Sequence, residues 1–401
     1  MMMMVMIMRT MVLASWCLLS LGLATAYRPQ SVVRNPSSLS SSAAGFSTEP
    51  CPDEARRWYL PYPPDYNYLY SDCHTSTHVV VTTPSPNTTD ASPVQARLVV
   101  AWPAGNSGIL ALFAPEPSTS ADAALAIHLE NTSSSTGQEL TPITTPTRIG
   151  ISGLLTFSRA ARLTVPILGS VRAIREFTET GTVNEDFQHS FGFGLTADGG
   201  ASINRTWFDN VTTTWLDFAP VSGGASPVVL NREAAWTLTF GPGTYRFDAT
   251  FDYAEQLEGL GPQEVLNDAS AGLIEEKEDE TTSLAFLSYR DKLVAGTWRF
   301  LTYFGRDSML SLLLMQDVLS EEAIEAVIGS VLERVNHTDG EYFGRERGRE
   351  REREVWHSAT EDSTNNVPQA RSATRRSWAT TPPTTTPKTT SARPRQGATT
   401  R

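Results

Sequence analysis

From about residue 75 to residue 255 the chain repeats one pattern, a short run of β-branched or aromatic residues followed by a break of Gly, Pro, Ser or Asn. Such runs are His78-Val79-Val80-Val81, Leu98-Val99-Val100-Ala101-Trp102, Ile109-Leu110-Ala111-Leu112-Phe113, Ala126-Ile127-His128-Leu129 and Trp236-Thr237-Leu238-Thr239-Phe240. Period-two alternation bounded by turn residues is the signature of strands buried on at least one face. Gly241-Pro242-Gly243 separates Trp236–Phe240 from Thr244–Phe251, where Tyr245, Phe247, Ala249 and Phe251 share one face; the spacing predicts a hairpin. About ten strands with no helical pattern among them predict an antiparallel β-sandwich, placed at residues 51–258. The Tyr-rich stretch Trp58–Tyr70 within it is expected to be an irregular strap over a sandwich edge, the other reading being the lining of a glycan groove.

Near residue 255 the period changes. Glu275-Glu276-Lys277-Glu278-Asp279-Glu280 is an acidic run that reads as a solvated linker or helix start rather than a cation site. Leu284, Phe286, Leu287, Leu293 and Val294 then mark a helix, and Ser308–Val318 a second. Ser320 caps a third, with Glu321 and Glu322 in the first turn and Ile324, Val327, Ile328, Val331 and Leu332 on one face. Residues 259–343 are thus expected to be a helical domain. After it, residues 344–401 run through an alternating Arg/Glu segment into Ser/Thr/Pro/Arg-rich sequence with no apolar period, which predicts a disordered tail.

The N-terminus bears on the compartment. Arg9, an apolar run over Met11–Leu23 and Ala24-Thr25-Ala26 make a three-part signal-peptide pattern over residues 1–26, and the apolar run falls short of the roughly 20 residues that span a bilayer. Residues 27–50, with Ser37, Ser38, Ser40, Ser41 and Ser42, read as a flexible leader. Cys51 and Cys73 are the two cysteines of the chain beyond that signal, and an oxidising compartment favours joining them, worth about 3 kcal/mol in a chain-entropy account. Asn87, Asn131, Asn204, Asn210 and Asn336 each begin an N-x-S/T sequon. A formal charge of -12 disfavours nucleic acid or an anionic membrane as partner, and the pattern as a whole fits a secreted glycoprotein. No P-loop, G-x-S-x-G, H-E-x-x-H or metal-spaced His cluster occurs, so no cofactor or metal is expected.

The segment with most chemistry in it is Trp298-Arg299-Phe300-Leu301-Thr302-Tyr303-Phe304-Gly305-Arg306-Asp307. Aromatic rings can stack on pyranose faces while an Arg and a carboxylate reach the hydroxyls with charge-assisted hydrogen bonds. The alternatives are plain ones: Asp307 as an N-cap of a helix starting at Ser308, Arg306 as a surface cation, and the aromatic residues as core. The run Leu284–Gly340, with Phe286–Asp307 at its heart, resembles the first barrel helices of glycogen-debranching-enzyme-like proteins of the six-hairpin glycosidase superfamily. That resemblance implies an (α/α)6 toroid behind an N-terminal β-sandwich, activity on α-glucosides by carboxylate acid/base hydrolysis, and a carbohydrate partner. It implies that Asp307 binds sugar at the cleavage subsite with Arg306 alongside, and it makes Trp298 and Tyr303 substrate-binding candidates.

The fold class expected is therefore β plus α, a sandwich followed by the first helices of an incomplete toroid. Hydrolysis needs two carboxylates about the scissile bond, and none is assigned; Glu341, in Asp339-Gly340-Glu341, is a candidate by its position in a segment that resembles the family's only at its opening. Two functions stay open, a glycosidase-like protein whose catalytic power depends on further helices, and a non-catalytic carbohydrate-binding or surface protein that uses the sandwich.

Overall fold

Residues 46–84, 95–117, 124–130, 140–181, 191–221, 224–231, 236–253 and 257–333 are described by the computed structural model of the protein. The signal peptide, the leader up to residue 45 and the tail at 344–401 lie outside them. Alternation builds two antiparallel sheets. The first runs β1 (Arg56–Tyr62), β2 (Asp65–Ser71), β3 (Ser76–Thr82), β4 (Ala96–Ala101) and β5 (Ser107–Pro115) in order, and then β9 (Ala161–Ser170), β14 (Thr237–Phe240) and β13 (Val229–Asn231). The second is ordered β10 (Phe191–Leu195), β11 (Ala201–Thr206), β12 (Thr213–Pro220), β15 (Gly243–Phe251), β8 (Ile149–Phe157) and β6 (Ile127–Leu129), with β7 (Leu140–Thr144) also paired to β8. Between the sheets lies one core in which Val79, Leu98, Val100, Ile109, Ala111 and Phe113 of the first meet Ile151, Leu155, Leu216, Phe218, Phe247 and Phe251 of the second.

Three sequence expectations change here. The Trp58–Tyr70 stretch is a regular hairpin, β1 paired residue for residue with β2; Tyr68 and Tyr70 of β2 enter the core, and Tyr59, opposite Tyr68 and packed on its ring at 4.9 Å, covers it from the half-exposed edge strand. The segment around Gly241-Pro242-Gly243 is not a hairpin: β14 pairs with β9 and β13 in the first sheet, and β15 with β12 and β8 in the second. Both strands turn aromatic residues to the shared core, where Phe240 and Tyr245 meet edge-on at 5.2 Å, so crossing between sheets buries both faces. A helix also interrupts the β region, α1 (Val171–Thr180), capped by Ser170 Oγ accepting from the Ala173 N–H at 3.2 Å and ended by Gly181 at φ +72°.

The outer face of the first sheet is apolar as well. Leu69, Val80, Val99, Ala101, Leu110, Leu112 and Ile167 form a second core with Val171 and Ile174 of α1 and with Leu257, Phe286, Tyr289, Val294, Trp298 and Leu301 of the helical region. Gly108 lets α1 approach, since a Cβ there would stand 2.8 Å from Ile174 Cδ1. Strands buried on both faces read as continuous apolar runs, which is why β3 and β5 were so legible.

In the helical region, α2 (Glu278–Phe286) carries Glu278, Asp279 and Glu280 in its first turn, the helix-start reading of the acidic run. Residues Leu284–Val294 are not one helix: α2 ends at Phe286, and β16 (Ser288–Tyr289) and β17 (Lys292–Leu293) make a small hairpin. Arg290 at its turn binds Glu258 (2.7 Å), Glu264 (3.0 Å) and Glu322, holding an irregular segment that has little apolar content of its own. Two helices in contact with each other follow, α3 (Gly305–Met315) and α4 (Glu321–Leu332), the latter capped by Ser320 accepting from the Ala323 N–H at 3.1 Å as its sequence predicts. Leu260, Val265, Ala285, Leu319 and Ala323 close a third small core beneath them. Among the described residues no helix is long and apolar enough to cross a membrane.

Candidate functional site

The Trp298–Asp307 segment is held by the sheet beneath it. On β3, His78 is buried and aims both ring nitrogens at partners, Nε2 at Asn67 Oδ1 (3.0 Å) and Nδ1 at the Trp298 backbone N–H (3.1 Å). Because Nδ1 must accept, the ring is the neutral Nε2–H tautomer, and burial lowers its pKa to about 3. The Trp298 indole is 7% exposed and lies in the seam between sheet and helices, with the Arg97 guanidinium 5.4 Å from its centroid on one strand and Arg299 at 4.8 Å. Arg97 is itself fixed by Thr82 Oγ1 (2.7 Å) and Asp65 (3.1 Å). Tyr303 is 1% exposed. Of the substrate-binding candidates, then, these two rings sit in the protein interior, while Phe300 is exposed under Arg175 of α1 at 5.1 Å.

Arg306 and Asp307 are brought together at the surface. Helix α3 begins at Gly305, three residues earlier than the sequence suggested, with Phe304 at the N-cap and no side-chain cap. Asp307 is therefore the third helical residue rather than the cap. Its carboxylate lies in the first turn, where the helix dipole favours negative charge, and accepts from Arg306 Nε at 3.2 Å. The pair is open, with Arg306 side-chain exposure 82% and that of Asp307 40%. Ser308, just behind, is buried, and its hydroxyl donates to Leu293 O at 2.9 Å, which fixes the helix start to β17. Beyond the pair, α3 presents Met309, Leu310, Leu313 (64% exposed) and Leu314 to solvent, and α4 adds Ile328 and Leu332. The buried face of α4 carries Ala323, Ala326, Val327 and Ser330; of the residues expected inside, Val327 is buried and Ile324 and Val331 are partly buried, while Ile328 and Leu332 point out.

A second polar constellation was not anticipated. The outward face of the second sheet carries Asn204 and Ser202 on β11, Trp215 and Asp217 on β12, Asp248 and Thr250 on β15 and Ser152 on β8, in register across the strands. Arg148 stacks on Trp215 at 3.6 Å from the ring centroid. Asp217 and Asp248 are directly opposite, Ser152 Oγ donates to Asp248 at 2.5 Å, and Arg246 pairs with Asp248 at 3.2 Å. Burial raises the Asp217 carboxyl above its ordinary range; Asp248 adds to this, while a Ser202 hydrogen bond, Arg148 and Arg246 oppose it. The signal was present in Thr213–Pro220, where Leu216 and Phe218 turn inward and a tryptophan occupies an outward position.

Cys51 and Cys73 are joined, tying the chain ahead of β1 to the β2–β3 turn. With His74 they form the one group of potential metal ligands among the described residues, but both sulfurs are consumed in the bond and His74 Nε2 lies 2.8 Å from Glu49 O. Asn204 and Asn210 are on β11 and in the turn after it; Asn87, Asn131, Asn336 and Glu341 lie outside the described residues. Set against protein-family models and against curated proteins, the chain finds no match.

Proposed function

We propose that this is an exported carbohydrate-active protein of six-hairpin glycosidase build, in which the sandwich seats the first helical hairpin of a toroid and Arg306 and Asp307 contact an α-glucoside chain. The observation that carries this reading is the α3 start: an exposed Arg–carboxylate pair on the first turn of a helix fixed to β17, beside an apolar flank of Met309, Leu310, Leu313 and Leu314. A flank of that size is where further helices of a toroid would pack. The acid and base of hydrolysis are then carboxylates of those further helices, and the buried Trp298 and Tyr303 act by placing the loop.

The test is a calorimetric titration with maltoheptaose. Asp307→Asn and Arg306→Ala should each weaken binding about tenfold, the loss of one charged hydrogen bond, without changing thermal stability, since exposed pairs contribute little to folding. Unchanged affinity in both variants would remove the pair from the site. The second reading, a non-catalytic carbohydrate-binding protein, is favoured by one observation, the in-register Trp215, Asp217, Asp248 and Asn204 on an open sheet face. It predicts instead that Asp217→Asn abolishes maltoheptaose binding.

A further inference from the structure

The outward face of the second sheet carries an N-x-S/T sequon, which the Arg306–Asp307 reading does not use. Asn204 begins the sequon Asn204-Arg205-Thr206 in the middle of β11. Arg205 points inward, buried, with its guanidinium donating to Leu168 O at 2.7 Å, so alternation turns Asn204 outward. Its two cross-strand neighbours are unlike each other. On β12 it stands directly opposite Trp215, and on β10 directly opposite Gly192.

Strand β10 reads Phe-Gly-Phe-Gly-Leu, with Phe191 and Phe193 packed against the core and only glycines, Gly192 and Gly194, facing out. A Cβ at Gly192 would come 2.7 Å from Asn204 Oδ1, and one at Gly194 would meet nothing within 4 Å. The strand beside the asparagine is thus bare where a bulky substituent would lie. On the other side, the Trp215–Arg148 stack forms an amphipathic wall, apolar ring beside guanidinium donors. Opposite Trp215, the Thr250 hydroxyl is buried without a hydrogen-bond partner among the described residues.

We propose that Asn204 carries an N-linked glycan whose first N-acetylglucosamine lies over β10–β12 against the Trp215–Arg148 stack, sheathing the open face of the second sheet. In the transfer, Asn204 Nδ2 forms a bond to C1 of the sugar. The C1–oxygen bond to a lipid pyrophosphate donor breaks, the amide loses one proton, and the lipid pyrophosphate departs. The sugar's apolar C–H face suits an aromatic neighbour, and its hydroxyl and N-acetyl oxygens suit the Arg148 donors. Asn210, six positions on, offers an internal contrast: it lies in the exposed β11–β12 turn at φ +56°, with its amide donating to Phe208 O at 3.4 Å, and no glycine-floored strand flanks it. The inference depends on passage through a secretory pathway and on nothing in the Arg306–Asp307 reading.

The test uses the full chain, directed into the secretory pathway of a eukaryotic cell by an added leader, so that failure of its own signal does not enter. Site-resolved mass spectrometry should find Asn204 occupied. Asn204→Gln should then lower Tm by roughly 2–4 °C, the effect of one aromatic contact in a domain of this size. The same substitution should change Tm by less than about 1 °C in a Trp215→Ala background, while Trp215→Phe, which keeps a ring, should retain most of the shift. In protein made without glycosylation Asn204→Gln should be silent. An unmodified Asn204 in the secreted chain overturns the proposal. So does a Tm decrement that is the same with and without the ring.

Discussion

The two sheets share a core but differ in what their outer faces are for. On the first, Leu69, Val80, Val99, Leu110 and Ile167 face outward and are covered by α1 and the helical region; on the second, the corresponding positions carry Asn204, Trp215, Asp217, Asp248 and Ser152 and no described element covers them. An apolar outer face must be buried to be tolerated, so the first sheet commits the chain to a second structural layer. A polar face carries no such requirement and can meet water, a sugar or a glycan. The same β-sandwich therefore supplies a docking seat on one side and a polar face on the other.

The largest effect is expected at the seam between the first sheet and the helical region. Trp298→Ala removes a buried indole that joins the helical region to β3 and β4 and should cost about 3–5 kcal/mol in chemical denaturation, as core aromatic truncations do. A loss below about 1 kcal/mol would mean that the helices are not held through this ring. The seam should also be acid-sensitive. An unfolded histidine titrates near 6.5 and folded His78 at about 3, so between those values the unfolded chain binds the extra proton. Its contribution is fully present above about pH 6.5 and is lost as pH falls toward 3. Subtracting the stability–pH curve of His78→Gln from that of the native chain should expose this slope; parallel curves would contradict the neutral, hydrogen-bonded ring. The smallest effect is expected on the other side. Trp215→Ala, in protein made without glycans, removes one half-buried cation–π stack and should cost about 1–2 kcal/mol. A core-sized loss there would show that the second face is covered after all.

Much of the covered side was legible because double burial writes itself into sequence as continuous runs such as Val79-Val80-Val81 and Ile109–Phe113. Ser320 as a helix cap was legible for the same local reason, a hydroxyl just ahead of two glutamates. Pairing was not local, and there the reading failed: alternation alone could not tell that Phe240 and Tyr245 belong to different sheets, since both patterns are satisfied by facing one shared core. Helix α1 carries local marks of its own, Ser170, Gly181 and the Arg172–Glu176 pair, but it is a single ten-residue element that directly abuts β9 within a region of strands. In the candidate site, composition placed aromatic and charged residues together, but only the fold separates them, with Trp298 and Tyr303 turned into the interior and Arg306 and Asp307 out of it. The second face is hidden in the sequence because its residues are scattered from 148 to 250 and meet only through register.

Hydrogen exchange with and without saturating maltoheptaose separates the proposed sugar contact at the start of α3 from one on the second sheet. The account predicts slowed exchange in the amides of residues 303–311, with the outward strands β11, β12 and β15 unchanged. Slowing confined to β11, β12 and β15 would contradict it and move carbohydrate recognition to the second sheet.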